Sequence, residues 1–449
     1  MELKHYDALI IGSGQGGNPL AQKLAESGQK VALVESGLLG GTCINTGCTP
    51  TKTLVASAQV AHYVRNAARW GVETGGARVD FAAAMKRKNE IVGEFQAGWP
   101  KKLPNAGVDV YHARARFVGV KQVQAGDEVL QGSKVYIDTG GTPTIPQIAG
   151  LNDVPYLTNE SLLQLKKLPQ HLLVLGGGYI GLEFAQMFRR FGSRVTVVHR
   201  GGQILPNEDA DSAEALQKCL EDEGIQFVLN AKTTRVTPEV KLEWDGGSAV
   251  GSHLLLAVGR TPQTKDLDLA KTGVKLDARG YIVVNDRLET TAEGIWALGD
   301  VKGGPAFTHI SYNDFQIVDA GGSIANRLVP YGVYTDPALG RVGMTEKDAR
   351  KAGKKLKIGK VQMSHVARAI ERSETSGFMK IVVDAETDMV LGAAILSSEG
   401  AELVQILGTL MLAQRPYTLL KGAVYIHPTL AEGFFSLMES VQAATIAPE

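Results

Sequence analysis

The chain carries the same short supersecondary unit twice, and that repeat confines its fold more tightly than any other feature. Asp7–Ile11 reads as a buried strand, Gly12–Gly17 as a glycine turn, Asn18–Ser27 as a helix and Lys30–Glu35 as a second strand. The pattern returns as His171–Leu175, Gly176–Gly181, Leu182–Phe191 and Arg194–His199. In both copies the first glycine and the end of the second strand are equally spaced, Gly12 to Glu35 and Gly176 to His199, so the two units are expected to be structurally equivalent. A strand–helix–strand repeat of this kind needs a parallel sheet, which places the chain in the α/β class.

Gly12, Gly14 and Gly17 permit a tight turn and a close approach of a pyrophosphate to backbone N–H groups at a helix N-terminus. Glu35 then lies where a carboxylate accepts hydrogen bonds from a ribose 2′-hydroxyl. The second fingerprint, Gly176-Gly-Gly178-Tyr179-Ile180-Gly181, has His199 at that position, followed by Arg200. An arginine there pairs with a 2′-phosphate that a carboxylate would repel, so NADPH is expected in preference to NADH. The plainer alternative is that both are solvated strand-end residues.

Directly after the first unit comes Gly41-Thr42-Cys43-Ile-Asn-Thr-Gly47-Cys48-Thr-Pro-Thr-Lys52. Four residues between cysteines is not the usual zinc-ligand spacing. Over that distance a regular helix rises ~7.5 Å, more than the ~4.4–6.8 Å between Cα atoms that a disulfide prefers. A bridge therefore needs a distorted turn, which Gly47 can supply, and a strained bridge is readily reduced. Two buried thiols packed as small hydrophobes would not account for a pair placed just after a nucleotide-binding unit.

A CxxxxC segment after a first glycine fingerprint, with a second fingerprint downstream, resembles the FAD-dependent pyridine nucleotide–disulfide oxidoreductases over nearly the whole chain. The resemblance implies that Cys43 meets the substrate and that Cys48 lies against the flavin as a charge-transfer thiolate. It implies that Lys52 sits near the flavin with Glu183 as its ion-pair partner, and that Gly41 and Thr42 belong to the same flavin-binding segment. Thr290–Asp300 resembles the family's second FAD motif, with Gly299 and Asp300 on the ribitol chain. The run Leu256–Pro262, containing Gly259 and Arg260, resembles the strand that closes the nicotinamide domain. His427 and Glu432, in His427-Pro-Thr-Leu-Ala-Glu432, resemble an acid–base pair contributed across a two-fold interface, which implies a homodimer.

The implied architecture is two Rossmann-like nucleotide-binding domains plus a carboxyl-terminal α+β dimerisation domain. Residues 1–150 and 271–328 form the FAD domain in two parts, 151–270 the NAD(P)H domain and 329–449 the dimerisation domain. The cysteine segment and Val333–Glu346 resemble most closely the mercuric-reductase-like branch and the related reductases of reactive-chlorine defence. The final residues, Thr445–Glu449, lack the vicinal cysteine pair with which mercuric reductase delivers its metal. The expected reaction runs from NADPH through FAD to the Cys43–Cys48 disulfide, then to a disulfide, a metal ion or another oxidant. Dihydrolipoamide dehydrogenase and a flavin-bearing redox sensor are the alternatives.

Composition agrees with that frame. Lys plus Arg equals Asp plus Glu at 47 each, which leaves no basic footprint for nucleic acid. Apolar runs fall short of the ~20 residues of a membrane span, and no charged leader precedes an apolar segment at the start, so a cytoplasmic enzyme is expected. Cys219, in an amphipathic stretch from Asp211 to Glu223, reads as structural, and no metal site is expected.

Overall fold

A computed structural model describes residues 3–444; Thr445–Glu449 lie outside the described residues. Three sheets organise the chain. In the first, parallel strands run in the order Val108–His112, Val31–Glu35, Leu3–Ile11, Glu128–Ile137. The far edge of Glu128–Ile137 is shared. Its first half pairs with the antiparallel hairpin of Gln122–Ala125 and Ala115–Gly119, and its second half with Ile295–Ala297, through Ile295 opposite Val135. A strand from residue 295 thus completes a sheet begun at residue 3. The inner strands are apolar on both faces, as a sheet covered on both sides requires: Ala8, Leu9, Ile10, Val31, Ala32 and Leu33 are all fully buried.

The second sheet repeats the arrangement with parallel strands Gln226–Val228, Arg194–Val198, His171–Leu175 and His253–Leu256. A separate antiparallel layer of Thr233–Thr237, Lys241–Trp244 and Gly247–Val250 accompanies it. Gly141–Pro143 and Arg260–Pro262, the outgoing and returning connections, pair antiparallel beside each other. The third sheet is antiparallel, with six strands in the order Tyr331–Val333, Ala338–Gly343, Val390–Ser397, Phe378–Asp384, Leu356–Gln362, Gln442–Ala443. Its core contains Ile381, Ile395, Leu407, Phe434 and Leu437, drawn from its strands and from helices Gly400–Leu412 and Gly433–Glu439. This is the expected α/β architecture with a carboxyl-terminal α+β domain.

The fingerprint helices differ from their sequence reading at their starts. The second fingerprint helix begins at Tyr179, not Leu182, because Gly178 is extended and caps it, so Tyr179 and Ile180 form its first turn. Gly181 is then a helical residue packed so tightly that a Cβ would lie 2.4 Å from the Gly176 carbonyl oxygen. The first copy behaves likewise: its helix spans Gly17–Glu26, and a Cβ on Gly17 would lie 2.2 Å from the Gly12 oxygen.

Candidate active site

The two cysteines sit where a helix is interrupted. Gly41–Asn45 forms one short helix and Cys48–Asn66 another, with the break at Thr46 (φ −142°) and Gly47 (φ −127°, ψ −116°). At that break the Gly47 backbone passes so close to the first helix that a Cβ would meet the Thr42 carbonyl oxygen at 2.8 Å. The interruption lets the Cys43 thiol hydrogen-bond Cys48, and the two are not joined by a disulfide in this structure.

The pair is electrically asymmetric. Cys48 is drawn down to about 6, chiefly by the hydrogen bond from Cys43, then by the Thr308 hydroxyl and the Lys52 charge, against burial and the Glu183 carboxylate. Cys43 is pushed up, first because it donates that bond and second by burial. At neutral pH the pair therefore holds one proton on Cys43 and a thiolate on Cys48. Thr308, 3.3 Å from Cys48 Sγ, opens the helix Thr308–Ala320.

Lys52 lies one turn beyond Cys48 on the same helix. Its Nζ is 2.5 Å from Glu183 Oε2 and 4.7 Å from the centroid of the Tyr334 ring. Glu183, only 3% exposed, also accepts the Tyr334 amide at 2.8 Å through Oε1. One buried carboxylate thereby links the cysteine helix, the second fingerprint helix and the carboxyl-terminal domain. Burial raises the Tyr179 phenol, nearby, to about 12.

At the first fingerprint, Gly12 has φ +103° and a Cβ there would lie 2.2 Å from the Asp138 carbonyl oxygen. Gly41 presses on the same turn: its Cβ would fall 2.7 Å from Gly14 Cα. Glu35 accepts the Ser13 amide at 2.9 Å and the Ser13 hydroxyl at 2.7 Å. The amides of Gly14 and Gln15 donate to no protein group among the described residues, and the buried Asn18 Oδ1 has no partner. A glycine-walled cradle with unused donors at a helix N-terminus fits the pyrophosphate of a dinucleotide such as FAD. Gly299 and Asp300 reach this cradle from the returning segment. Asp300 lies 3.4 Å from Arg260 Nε, Arg260 also donates to the Gly141 oxygen, and burial raises the Asp300 carboxyl.

At the second fingerprint, His199 Nδ1 accepts the Gly177 amide at 3.2 Å, the counterpart of the bond from Ser13 to Glu35. That bond needs an unprotonated Nδ1, and burial followed by the Arg200 charge lowers the imidazole pKa. Arg200 itself is exposed and makes no ion pair among the described residues. Gly176 has φ +120°, Gly178 leaves open space at the helix cap, and Gly259 has φ +132° where its oxygen accepts the Thr144 amide.

His427 and Glu432 stand elsewhere. The imidazole Nδ1 lies 2.9 and 3.0 Å from the two Glu432 oxygens, which leaves Nε2 outward on a side chain 68% exposed. Neither side chain bonds to the cysteine segment among the described residues. Cys219 lies in helix Ala210–Asp222, its thiol raised by burial.

Three residues of this region had no sequence signal of their own: Thr308, Tyr334 and Asp138. Thr308 opens a helix without a motif, Tyr334 acts through its backbone and ring face, and Asp138 directly follows the apolar end of a strand.

Two dinucleotide folds meeting at an activated cysteine pair define a nucleotide-dependent dithiol–disulfide oxidoreductase. The sequence comparisons agree. Residues 6–314 match the family model described as pyridine nucleotide-disulphide oxidoreductase, and residues 329–437 match the dimerisation domain of the same family. The chain belongs to the pyridine nucleotide-disulphide oxidoreductases, flavoprotein enzymes that use FAD and NAD(P)H. It is 37% identical to the probable pyridine nucleotide-disulfide oxidoreductase RclA of Escherichia coli, over 98% of this chain and all of that one. A mercuric reductase of Lysinibacillus sphaericus is 35% identical over 89% of this chain and 76% of its own. A dihydrolipoyl dehydrogenase of Thermus scotoductus is 34% identical over 98% of both. Among solved structures, the Cu(II) complex of the HOCl-induced flavoprotein disulfide reductase RclA superposes with a TM-score of 0.89, covering 97% of this chain and all of that one.

Proposed function

We propose that the chain is an NADPH-preferring reductase of the cytoplasm, whose Cys43–Cys48 pair cycles between disulfide and dithiol. Cys43 hands the electron pair to an oxidised acceptor, either a disulfide or a metal ion. Cu(II), named for the solved relative, is the first metal to test. FAD, held by the first fingerprint, Glu35, the Gly41–Lys52 segment and Asp300, supplies the two-electron relay from the nicotinamide when bound.

The observation that carries this reading is the asymmetry of the two thiols. Cys48, beside Thr308 and Lys52, keeps the negative charge, while Cys43 keeps the proton. Cys43 can attack only after losing that proton, and among the described residues its thiol bonds to the Cys48 thiolate and to no histidine or carboxylate. His427 of the partner subunit, oriented through Nδ1 by its carboxylate, supplies Nε2 as that base. The surface around His427 suits an interface between copies: Val424 is 100% exposed, and Ile426, Leu419 and Phe435 are also exposed. With a disulfide acceptor, the thiol–thiolate pair becomes a disulfide and the acceptor gains two electrons, the Cys43 proton and one proton from solvent. With Cu(II), two ions each take one electron and the single Cys43 proton is released.

The NADPH preference is supported by His199, where the first unit has the Glu35 carboxylate, and by the exposed Arg200 that follows it. Anaerobic addition of one equivalent of NADPH should produce the long-wavelength thiolate-to-flavin band, with NADH slower. Bleaching of the flavin without that band would remove the disulfide from the mechanism. Equal kcat/KM for the two nucleotides would favour the dihydrolipoamide dehydrogenase reading. Failure to turn over with disulfides, Cu(II) or Hg(II) would favour a redox sensor.

A further inference from the structure

Asp138 is a polar residue buried in the first dinucleotide cradle, at a point where a negative charge should be unwelcome. It follows the last residue of strand Glu128–Ile137 and is 6% exposed. Its Oδ2 accepts the Gly17 amide at 2.7 Å, and the Gly16 amide also bonds the carboxyl. The same carboxyl walls the turn. A Cβ on Gly14 would lie 2.8 Å from Oδ2, and one on Gly299 would lie 2.6 Å from Oδ1. One side chain thus touches both segments that enclose the pyrophosphate cradle.

Two forces oppose each other there. The helix N-terminus and two amides favour a carboxylate. Burial, the Asp300 carboxyl on the Gly299 segment and the Asp314 carboxyl on helix Thr308–Ala320 favour a neutral acid, and these prevail, burial foremost. The nearby cations are already engaged: Lys302 and Arg327 with Asp314, at 3.2 and 2.5 Å, and Arg260 with Asp300. None of them pairs with Asp138 among the described residues. A bound pyrophosphate brings two further negative charges to the same helix end, which strengthens the preference for the neutral form.

We propose that Asp138 binds the cofactor as a carboxylic acid: Oδ2 accepts the Gly17 amide, Oδ1 keeps a proton, and FAD retention is therefore linked to that proton. The linkage has a definite sign. The carboxyl titrates higher with FAD bound than without, so affinity is full at low pH and falls as pH rises between the two values.

The test is the FAD dissociation constant of the holoenzyme, read by the fluorescence of released flavin between pH of about 6 and about 9. In the wild type it should rise with pH, by up to about ten-fold per unit. Asp138→Asn, which keeps an oxygen for the two amides and cannot ionise, should hold the low-pH value throughout. Equal pH slopes in the two proteins would overturn the proposal. If the variant fails to fold, calorimetry of FAD binding to wild-type apoprotein in buffers of different ionisation enthalpy decides it. Net proton uptake that grows with pH supports the linkage, and none across the range refutes it.

Discussion

Thr308 offers the cleanest test of how Cys48 is held as a thiolate. Replacing it with valine keeps the shape and branching of the side chain at the helix start and removes only the hydroxyl 3.3 Å from the sulfur. A hydrogen bond to a charged group contributes about 1.5–3 kcal/mol, and the lower end applies because Cys43 and Lys52 also hold the thiolate. At ~1.4 kcal/mol per unit, that loss raises the Cys48 titration by about one unit, from about 6 to about 7. At pH 7 the ratio of thiolate to thiol should fall from roughly ten to one to roughly one to one. The assay is a pH titration of the thiolate-to-flavin absorbance in the anaerobically reduced holoenzyme, with Thr308→Ser as the variant that restores the hydroxyl. An unchanged or lowered midpoint in Thr308→Val would show that Cys43 and Lys52 hold the thiolate unaided.

Glu183→Gln should move the same midpoint the other way, because the Glu183 charge raises the Cys48 titration. It should also lower unfolding stability by about 1–3 kcal/mol in denaturant titrations, since it strips a buried acceptor from Lys52. Arg200→Ala should cut kcat/KM for NADPH by roughly 10–150-fold, the equivalent of one charge-assisted contact of ~1.5–3 kcal/mol, and leave the NADH value nearly unchanged. His427→Gln should slow reoxidation of the dithiol by an acceptor by about 10²–10⁴-fold in stopped-flow traces, while reduction by NADPH keeps its wild-type rate.

Local chemistry was legible in the sequence; contacts between distant segments were not. The equal spacing of Gly12–Glu35 and Gly176–His199 anticipated that Ser13 and Gly177 would present equivalent amides to equivalent side chains. The glycine at position 47 likewise marked the helix break between the cysteines. These features are written within a few dozen residues, where turn chemistry and period suffice. Thr308 reaches Cys48 across 260 residues, and Asp138 reaches Gly17 across 121. No periodicity encodes such pairs, because they depend on how strands Glu128–Ile137 and Ile295–Ala297 enter the first sheet. The early start of the helix at Tyr179 was missed for a simpler reason. A glycine fingerprint reads as a turn throughout, yet its last glycine is already helical.

The second fingerprint helix, Tyr179–Phe191, ties the site together. Its first turn follows the second glycine fingerprint, its middle carries Glu183 to Lys52, and its last turn carries Arg190 to Glu223 at 2.6 Å and to Asp336 at 2.8 Å. Gln186 adds bonds to the Asp336 oxygen and amide. Every one of these links is polar and buried or half-buried, and such pairs contribute little net stability once desolvation is counted. The apolar cluster around Leu172, Phe184, Phe188 and Leu54 already joins this domain to the cysteine helix. Apolar packing tolerates small slips, whereas a carboxylate shared between Lys52 Nζ and the Tyr334 amide has one geometry. The polar set therefore fixes register more than it adds stability. Because the same Lys52 charge that anchors the helix also lowers the Cys48 titration, any slip in that register alters the thiolate.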